Sequence, residues 1–277
     1  MAAWLTPAAA AMSRTVVRAH PRSRRHRIAP SSRSSRFPMA ARYRCLTVWF
    51  NRMVKNSATL RPMSPQVRPY RESDLAALRE LFVRAGEGAP TASLWGHPPS
   101  EAAIYLDPYV EHVPGSLLVA DDGGTLVGYL TGCPDPSRMP GEGERMERAV
   151  REHRLYARAR PAAFLARAVL DQVRGGLRQE ARAGELADPR WPAHLHVNLL
   201  GSAQGRGVGS ALLRSWLDRL RAAGSPGCHL QTLVENDRAV RFFTRHGFVA
   251  HGPTPPVPGL RGPGGGRLHQ QTMVWSR

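Results

Sequence analysis

Hydrophobic positions at helix or strand spacing begin at residue 66, and no sustained pattern precedes it. Residues 66–70 fit a short strand. Ser73 then stands where it would cap a helix carrying Leu75, Leu78, Leu81 and Phe82 on one face. A second helix is expected over 101–113, interrupted near Pro108. Two apolar runs, 116–120 and 125–130, flank Asp121-Asp122-Gly123-Gly124, a hairpin signal. Residues 142–160 and 162–183 predict two charged helices, broken near Pro161 and softened at Gly175-Gly176. After Trp191-Pro192 come a strand (194–200), a glycine loop, an amphipathic helix (208–222) and a strand (228–234). A helix (237–246), a strand (248–251), a Pro/Gly loop (252–266) and a last strand (268–275) follow. The order β-α-α-β-β, helical insertion, β-α-β-α-β-β predicts an α/β (α+β) fold. Its centre is a mixed sheet of about six to seven strands flanked by helices.

Charge changes the picture at one end only. The chain carries a formal net charge of +18, but residues 1–65 hold thirteen Lys and Arg and no Asp or Glu. Removing those thirteen leaves +5 for residues 66–277, so the body is not a strongly basic module and nucleic acid is not its expected partner. The leader cannot bury enough apolar surface to offset ordering entropy and is expected to be disordered. Its Arg- and Ser-rich, acid-free composition also fits an organellar transit peptide. Translation beginning at Met53 or Met63, and an electrostatic tail, are further readings. No apolar run approaches the roughly 18–20 residues that cross a bilayer. Cys45, Cys133 and Cys228 form no pair with metal-ligand spacing, which points to free thiols in a reducing cytoplasm and to no bound metal. The domain expectation is therefore a basic leader (1–65) and one domain (66–277) with a helical insertion at 134–190.

The chemistry concentrates in residues 194–248. An apolar strand runs through Gln204-Gly205-Arg206-Gly207-Val208-Gly209-Ser210 into a helix whose register shows in Val208, Leu212, Trp216 and Leu220. Glycines let an anion approach backbone N–H groups without a Cβ in the way. The helix start adds unpaired donors and the positive end of its dipole. Such a unit cradles phosphate. A Walker A loop would need Gly-Lys-Ser/Thr, which is absent, and the glycine spacing GxGxG departs from a dinucleotide fingerprint.

Gln204-x-x-Gly207-x-Gly209 resembles the acyl-CoA pyrophosphate signature of the GNAT N-acetyltransferase superfamily. Asn236-Asp237-Arg238-Ala239-Val240-Arg241-Phe242-Phe243, followed by His246-Gly247-Phe248, resembles the second motif of that family. Residues 194–200, the loop, and Arg221-Ala222-Ala223-Gly224-Ser225-Pro226-Gly227 are similar to a narrower branch. That branch is the acetyltransferase-like domain of O-GlcNAcases and its free-standing bacterial relatives, which also carry a helical insertion before the signature strand. The resemblance implies acetyl-CoA as co-substrate, with its pyrophosphate on the N–H groups of Gln204, Gly205, Arg206, Gly207, Val208, Gly209 and Ser210. It further implies that Leu199 and Leu200 offer main-chain groups to pantetheine where the signature strand splays from residues 228–234. Asn236 and Phe243 would flank the cofactor arm.

Two familiar catalytic groups are missing. Phe243 stands where the family's motif tyrosine protonates the departing thiolate, and Asn198 stands where the narrower branch often has an acid. Replacement candidates are His196, which shares a strand face with His194, and Glu235 at the end of the next strand. With Asn198 they form the expected catalytic set. His246 is expected to support the turn at Gly247, and Glu142, Glu144 and Glu147 to form a solvated helix face. The function this implies is acetyl-CoA-dependent N-acetylation of an amine, of unidentified substrate, by direct attack in a ternary complex. The alternative is a pseudo-acetyltransferase that binds a protein or glycan. An exposed final strand at 268–275 would offer an edge for pairing with a second copy.

Overall fold

In the computed structural model the described residues are 65–86 and 94–277. The leader, and every expectation placed on it, lies outside them. Strand β1 (Gln66–Pro69) leads through a short turn of 3-10 helix into α1 (Leu75–Gly86). Asp74, rather than Ser73, organises this junction: its Oδ2 accepts from the Arg71 N–H at 2.8 Å and pairs with Arg68. The expected second helix is two, α2 (Pro98–Tyr105) and α3 (Asp107–His112), broken at Leu106. Pro108 is tolerated because it stands in the first turn of the new helix, where no N–H is needed.

The hairpin forms as β2 (Leu118–Asp122) and β3 (Thr125–Cys133), turning at Gly123 and Gly124, both at positive φ. The insertion supplies α4 (Glu142–Glu152) and α5 (Ala159–Leu177). Strand β4 (Ala193–Leu199), α6 (Val208–Ala222), β5 (Gly227–Leu233), α7 (Asp237–Arg245) and β6 (Val249–His251) follow. Two further strands, β7 (Pro256–Arg261) and β8 (Arg267–Ser276), complete the sheet.

These eight strands lie in the order β1-β2-β3-β4-β5-β8-β6, with β7 also pairing β8. Only β4 and β5 run parallel. The mixed sheet flanked by helices is the architecture the sequence predicts, with one strand more. Strand β7 lies inside the segment expected to be a Pro/Gly loop. Its prolines are accommodated at a sheet edge, where a missing N–H costs no ladder bond, and Leu260 packs with Leu233 and Leu268.

The edge expected at residues 268–275 is absent. Strand β8 bonds β5 along one side, from Gly227↔Ser276 to Leu233↔Gln270, and β6 and β7 along the other. Its outer side is occupied because the chain doubles back twice before reaching it.

The main core lies between the sheet and α6, whose Leu212, Leu213, Trp216, Leu217 and Leu220 are buried. Glycine is required where they meet: a Cβ on Gly132 would lie 2.6 Å from the Trp216 ring. On the other flank, α5 docks on β7 through Asp171. Its carboxylate accepts from the Gly259 N–H (2.9 Å) and from both terminal nitrogens of Arg261 (2.8 and 2.7 Å).

The Arg261 guanidinium holds the Asp171 carboxyl below the usual carboxylate range, against the opposing effect of burial. The ionised pair therefore contributes stability above the unfolded-state pKa of about 3.9 and loses it as the pH falls through the lower folded value. Asp171→Ala strands Arg261 and is expected to cost about 2–3 kcal/mol near neutrality. Thermal denaturation across pH should show wild type and variant converging in acid.

Candidate active site

Strands β4 and β5 are in register at two positions only, Ala193↔Cys228 and His194↔His229. Beyond these they diverge, although β4 stays paired with β3 as far as Gly128↔Leu199, and β5 stays paired with β8. A wedge-shaped opening results, lined on one side by the backbone of residues 195–200. The expected splay is present.

The glycine loop lies at the end of β4 and leads into α6. Gly205 and Gly207 have φ of +76° and +80°, which side chains rarely adopt, and nothing lies within 4 Å of where a Cβ would project. Gly207 is the N-cap of α6 and no side chain caps it. The first-turn N–H groups at Val208, Gly209 and Ser210 thus lack intrahelical partners. Gly209 is tight for another reason: its Cβ would meet Leu199 at 3.1 Å and Phe242 at 3.4 Å. Arg206 pairs with Asp122 of the hairpin at 3.2 Å. Arg238, which the sequence reading passed over, bonds the Gln204 side chain and ties α7 to the loop. Asn236 caps α7, accepting from the Ala239 N–H at 3.2 Å. Phe243 is buried against Phe242 and Phe248. An acyl-CoA diphosphate fits this cradle, since the loop offers donors, glycine conformations and unfilled space together.

Alternation along β4 sends Leu199 toward Gly128 and Gly209 on one face and His194, His196 and Asn198 toward the other. That second face is roofed by α2, α3 and α4. The His194 Nε2 lies 2.9 Å from the Tyr109 hydroxyl, and the His196 ring makes edge contacts with Tyr105 and Tyr109. Asn198 stands opposite Tyr129 in the β3–β4 ladder. Burial, then the Arg145 and His229 charges, push the His196 imidazole down to about 4; burial and the neighbouring imidazoles push His194 well below its usual range as well. Both rings are neutral at physiological pH. Among the described residues, no group of three or more His, Cys, Asp or Glu is arranged to hold a metal.

The helical insertion closes this face with charge. The Tyr105 hydroxyl donates to Glu142 Oε1 at 3.1 Å, and buried Arg145 donates to the Ile104 carbonyl and to Glu185, both at 2.8 Å. Burial and the Glu185 charge push the Glu142 carboxyl up. Glu142 is therefore not on the solvated face expected of it, whereas Glu144 and Glu147 are exposed and pair with Arg148 and Arg151. The helical wheel alone carried the signal: Arg145 follows Glu142 by three residues and shares its side of α4. Glu235 stands apart from this cluster, with both carboxylate oxygens on the His269 N–H and Oε1 on its ring at 2.8 Å. His246 bonds the Phe242 carbonyl beside the turn at Gly247. A separate cavity of about 530 Å³ opens among α1, α2, α3 and α4, away from the glycine loop.

The sequence pattern of the Acetyltransferase (GNAT) family matches residues 75–248. The chain belongs to the GNAT acetyltransferase family. Solved structures similar to this chain include SsHAT, at 27% identity over 77% of this chain and 98% of that one, with a TM-score of 0.48. The putative acetyltransferase yncA from Salmonella typhimurium, solved with acetyl-CoA, is 16% identical over 77% of this chain and 94% of its own, TM-score 0.46. A ribosomal-protein-alanine N-acetyltransferase from Brucella melitensis is 18% identical over 76% and 99%, TM-score 0.47. Acetyl-CoA is the co-substrate of the GNAT family.

The depressed His196 value has a measurable consequence. A histidine whose folded pKa lies below its unfolded value binds fewer protons when folded, so stability falls as the pH drops from about 6.5 toward 4. His196→Gln, which keeps a polar side chain, should flatten that part of the stability–pH curve measured by urea denaturation. Nitrogen NMR of the wild type should show a neutral His196 ring at pH 6.

Proposed function

We propose that this chain is an acetyl-CoA-dependent N-acetyltransferase that acetylates an amine by direct attack within a ternary complex. The observation that supports this best is the opening between β4 and β5 beside an uncapped, glycine-shaped helix start. Acetyl-CoA, when bound, supplies a thioester carbonyl as acyl donor. The N–H groups of residues 204–210 would hold its diphosphate, with Arg206 and Arg238 adding positive charge. The main chain at Leu199 and Leu200 would line the pantetheine channel.

The acceptor would approach the β4 face that carries His196. A lysine-like amine arrives as an ammonium with pKa about 10.4 and must lose a proton before it attacks. Neutral His196 orients the nitrogen by accepting a hydrogen bond, but a ring with pKa about 4 does not keep the proton. Glu142 suits that task better, because burial raises its carboxyl. The Tyr105 hydroxyl, which donates to Glu142, relays the proton: it takes one from the acceptor side and passes its own to Oε1. Asn198 backs onto buried Tyr129 across the β3–β4 ladder, and Glu235, bonded to His269, keeps β8 against the end of β5. Phe243 has no proton to give and serves as an apolar wall, so the second proton shed by the attacking nitrogen would be the one that neutralises the departing thiolate.

The likeness of residues 194–200 and the 134–190 insertion to the O-GlcNAcase acetyltransferase-like branch is part of this reading. So is a cytoplasmic setting, which rests on the buried free thiols Cys133 and Cys228.

Calorimetric titration of the full chain with acetyl-CoA should give saturable binding that Gly207→Trp abolishes by filling the space before the loop. A folded chain that takes none would overturn the enzyme reading and favour an interaction module on this fold. With an amine acceptor found by screening for CoA release, Tyr105→Phe and Glu142→Gln should each lower kcat roughly 100-fold and leave acetyl-CoA affinity intact. The wild-type rate should fall as acid protonates the raised Glu142 carboxyl, and Glu142→Gln should lose that limb of the pH profile.

A further inference from the structure

Residues 180–188, the arm that joins α5 to β4, take up neither helix nor strand. Helix α5 stops at Leu177, and the chain turns away through Gln179 at φ +56°. Side chains rather than a strand ladder therefore place the arm, and strand β8 holds it twice. Arg267 pairs with Glu180 at 3.1 Å. The Gln270 amide takes both main-chain groups of Gly184, accepting from its N–H at 3.1 Å and donating to its carbonyl at 2.9 Å.

The residue this clamp presents is Glu185. Its Oε1 accepts from Arg145 Nη2 at 2.8 Å, and its Oε2 accepts from the Glu142 N–H at 3.4 Å. Both partners belong to α4, whose N-cap is Gly141 and which has no side-chain cap of its own. A carboxylate at that end satisfies a free donor and complements the helix dipole. Arg145, one turn on, is 5% exposed and needs a counter-charge. The neighbouring acids of α4 do not supply it, since Glu144 and Glu147 are exposed and pair with Arg148 and Arg151. One carboxylate thus anchors both the start of α4 and its buried guanidinium. Glu142 is the first residue of that turn, and its contact with the Tyr105 hydroxyl at 3.1 Å depends on the anchorage.

We propose that Glu185 is a positioning residue for the acetyl transfer described above, holding Glu142 on Tyr105 and making it the stronger proton acceptor. The inference rests on that reading of Glu142, and Glu185 acts through Arg145 and α4. The groups that face Glu142 are Tyr105 from α2, Arg145 from its own helix and Glu185 from the arm. Tyr105 in turn meets Glu101 and the neutral His196 ring. Two carboxylates this close resist being ionised together, which favours a proton on the buried one. Burial and the Glu185 charge push Glu142 up, and Arg145 opposes them. Removing the Glu185 charge deletes one of the raising effects and leaves Arg145 without its counter-charge. Both changes push Glu142 down and weaken it as a base.

Glu185→Gln in the full chain tests this, since it keeps the shape and an oxygen for Arg145 but carries no charge. Carboxyl-carbon NMR should show Glu142 titrating about one pH unit lower than in wild type. That readout requires neither acetyl-CoA nor an acceptor. With the amine found by the CoA-release screen, the acid limb of the kcat profile should move down equally. Plateau kcat should fall several-fold while KM for both substrates is unchanged. Glu185→Asp, which restores the charge, should return the limb toward its wild-type pH. Gln270→Ala should shift Glu142 in the same direction but less, because the arm is unclamped. A Glu142 carboxyl that titrates alike in wild type and Glu185→Gln overturns the proposal, as does a Glu185→Gln chain that loses melting temperature alone. Gln270→Ala indistinguishable from wild type overturns the clamp. An NMR shift in a folded chain that binds no acetyl-CoA upholds the Glu185–Glu142 coupling and overturns the acetyltransferase reading instead.

Discussion

A parallel strand pair that stops after two residues leaves main-chain donors and acceptors without partners on facing edges. The rest of the structure is arranged around that constraint. The gap stays open because each bordering strand is anchored from behind, β4 by its antiparallel ladder to β3 and β5 by its ladder to β8. On one face of β4, Leu199 lies over Gly128 and against Gly209, with Trp216 packed on Gly132. A Cβ on Gly128 would collide with Leu199, and one on Gly132 would lie 2.6 Å from the Trp216 ring, so those side chains would have to shift. The loop that ends β4 therefore receives a helix start whose position is fixed by core packing and whose donors remain unspent.

The other face of the same strand solves a different problem. Three histidines, two tyrosines, an arginine and two glutamates converge there, where charge is costly. The cost is met by division of labour. His194, His196 and His229 are all pushed down, and His229 bonds the Trp191 carbonyl at 2.7 Å, so the ring charges are absent. Arg145 faces Glu185 and a carbonyl, and burial pushes the Glu142 carboxyl up. A neutral-histidine surface beside one reluctant acid is a suitable place to bring an ammonium.

Much of this was legible in the chain before any coordinates. The cradle announces itself locally, since Gln204-Gly205-Arg206-Gly207 combines a strand end, positive-φ residues and a helix start within a few positions. Helix α6 is legible because its buried residues repeat at helical spacing, and the hairpin at Asp121–Gly124 because only glycines take those angles readily. What sequence obscured was set by distant partners. Strand β7 looked like a loop because its prolines and Gly259 argue against a strand interior, whereas α5 and β8 supply its contacts. Glu142 looked like any solvated helix carboxylate until Tyr105, 37 residues earlier, closed over it. Pairing of β8 on both sides was hidden for the same reason, since no local pattern says that a chain will double back to fill a space left earlier.

That last arrangement bears on how the molecule comes to be made. Strand β8 follows every other strand in the chain, yet it sits between β5 and the β6–β7 side of the sheet. During synthesis the ribosome delivers β1 to β5 first, and β5 must wait with one side paired to β4 over two residues and the other bare. Until residues 267–276 are in place, β5 lacks its second neighbour and β6 and β7 have no strand to pair with. Completion of the sheet thus waits on residues 267–276, and until they pair the chain carries an unfinished edge that the folded molecule hides.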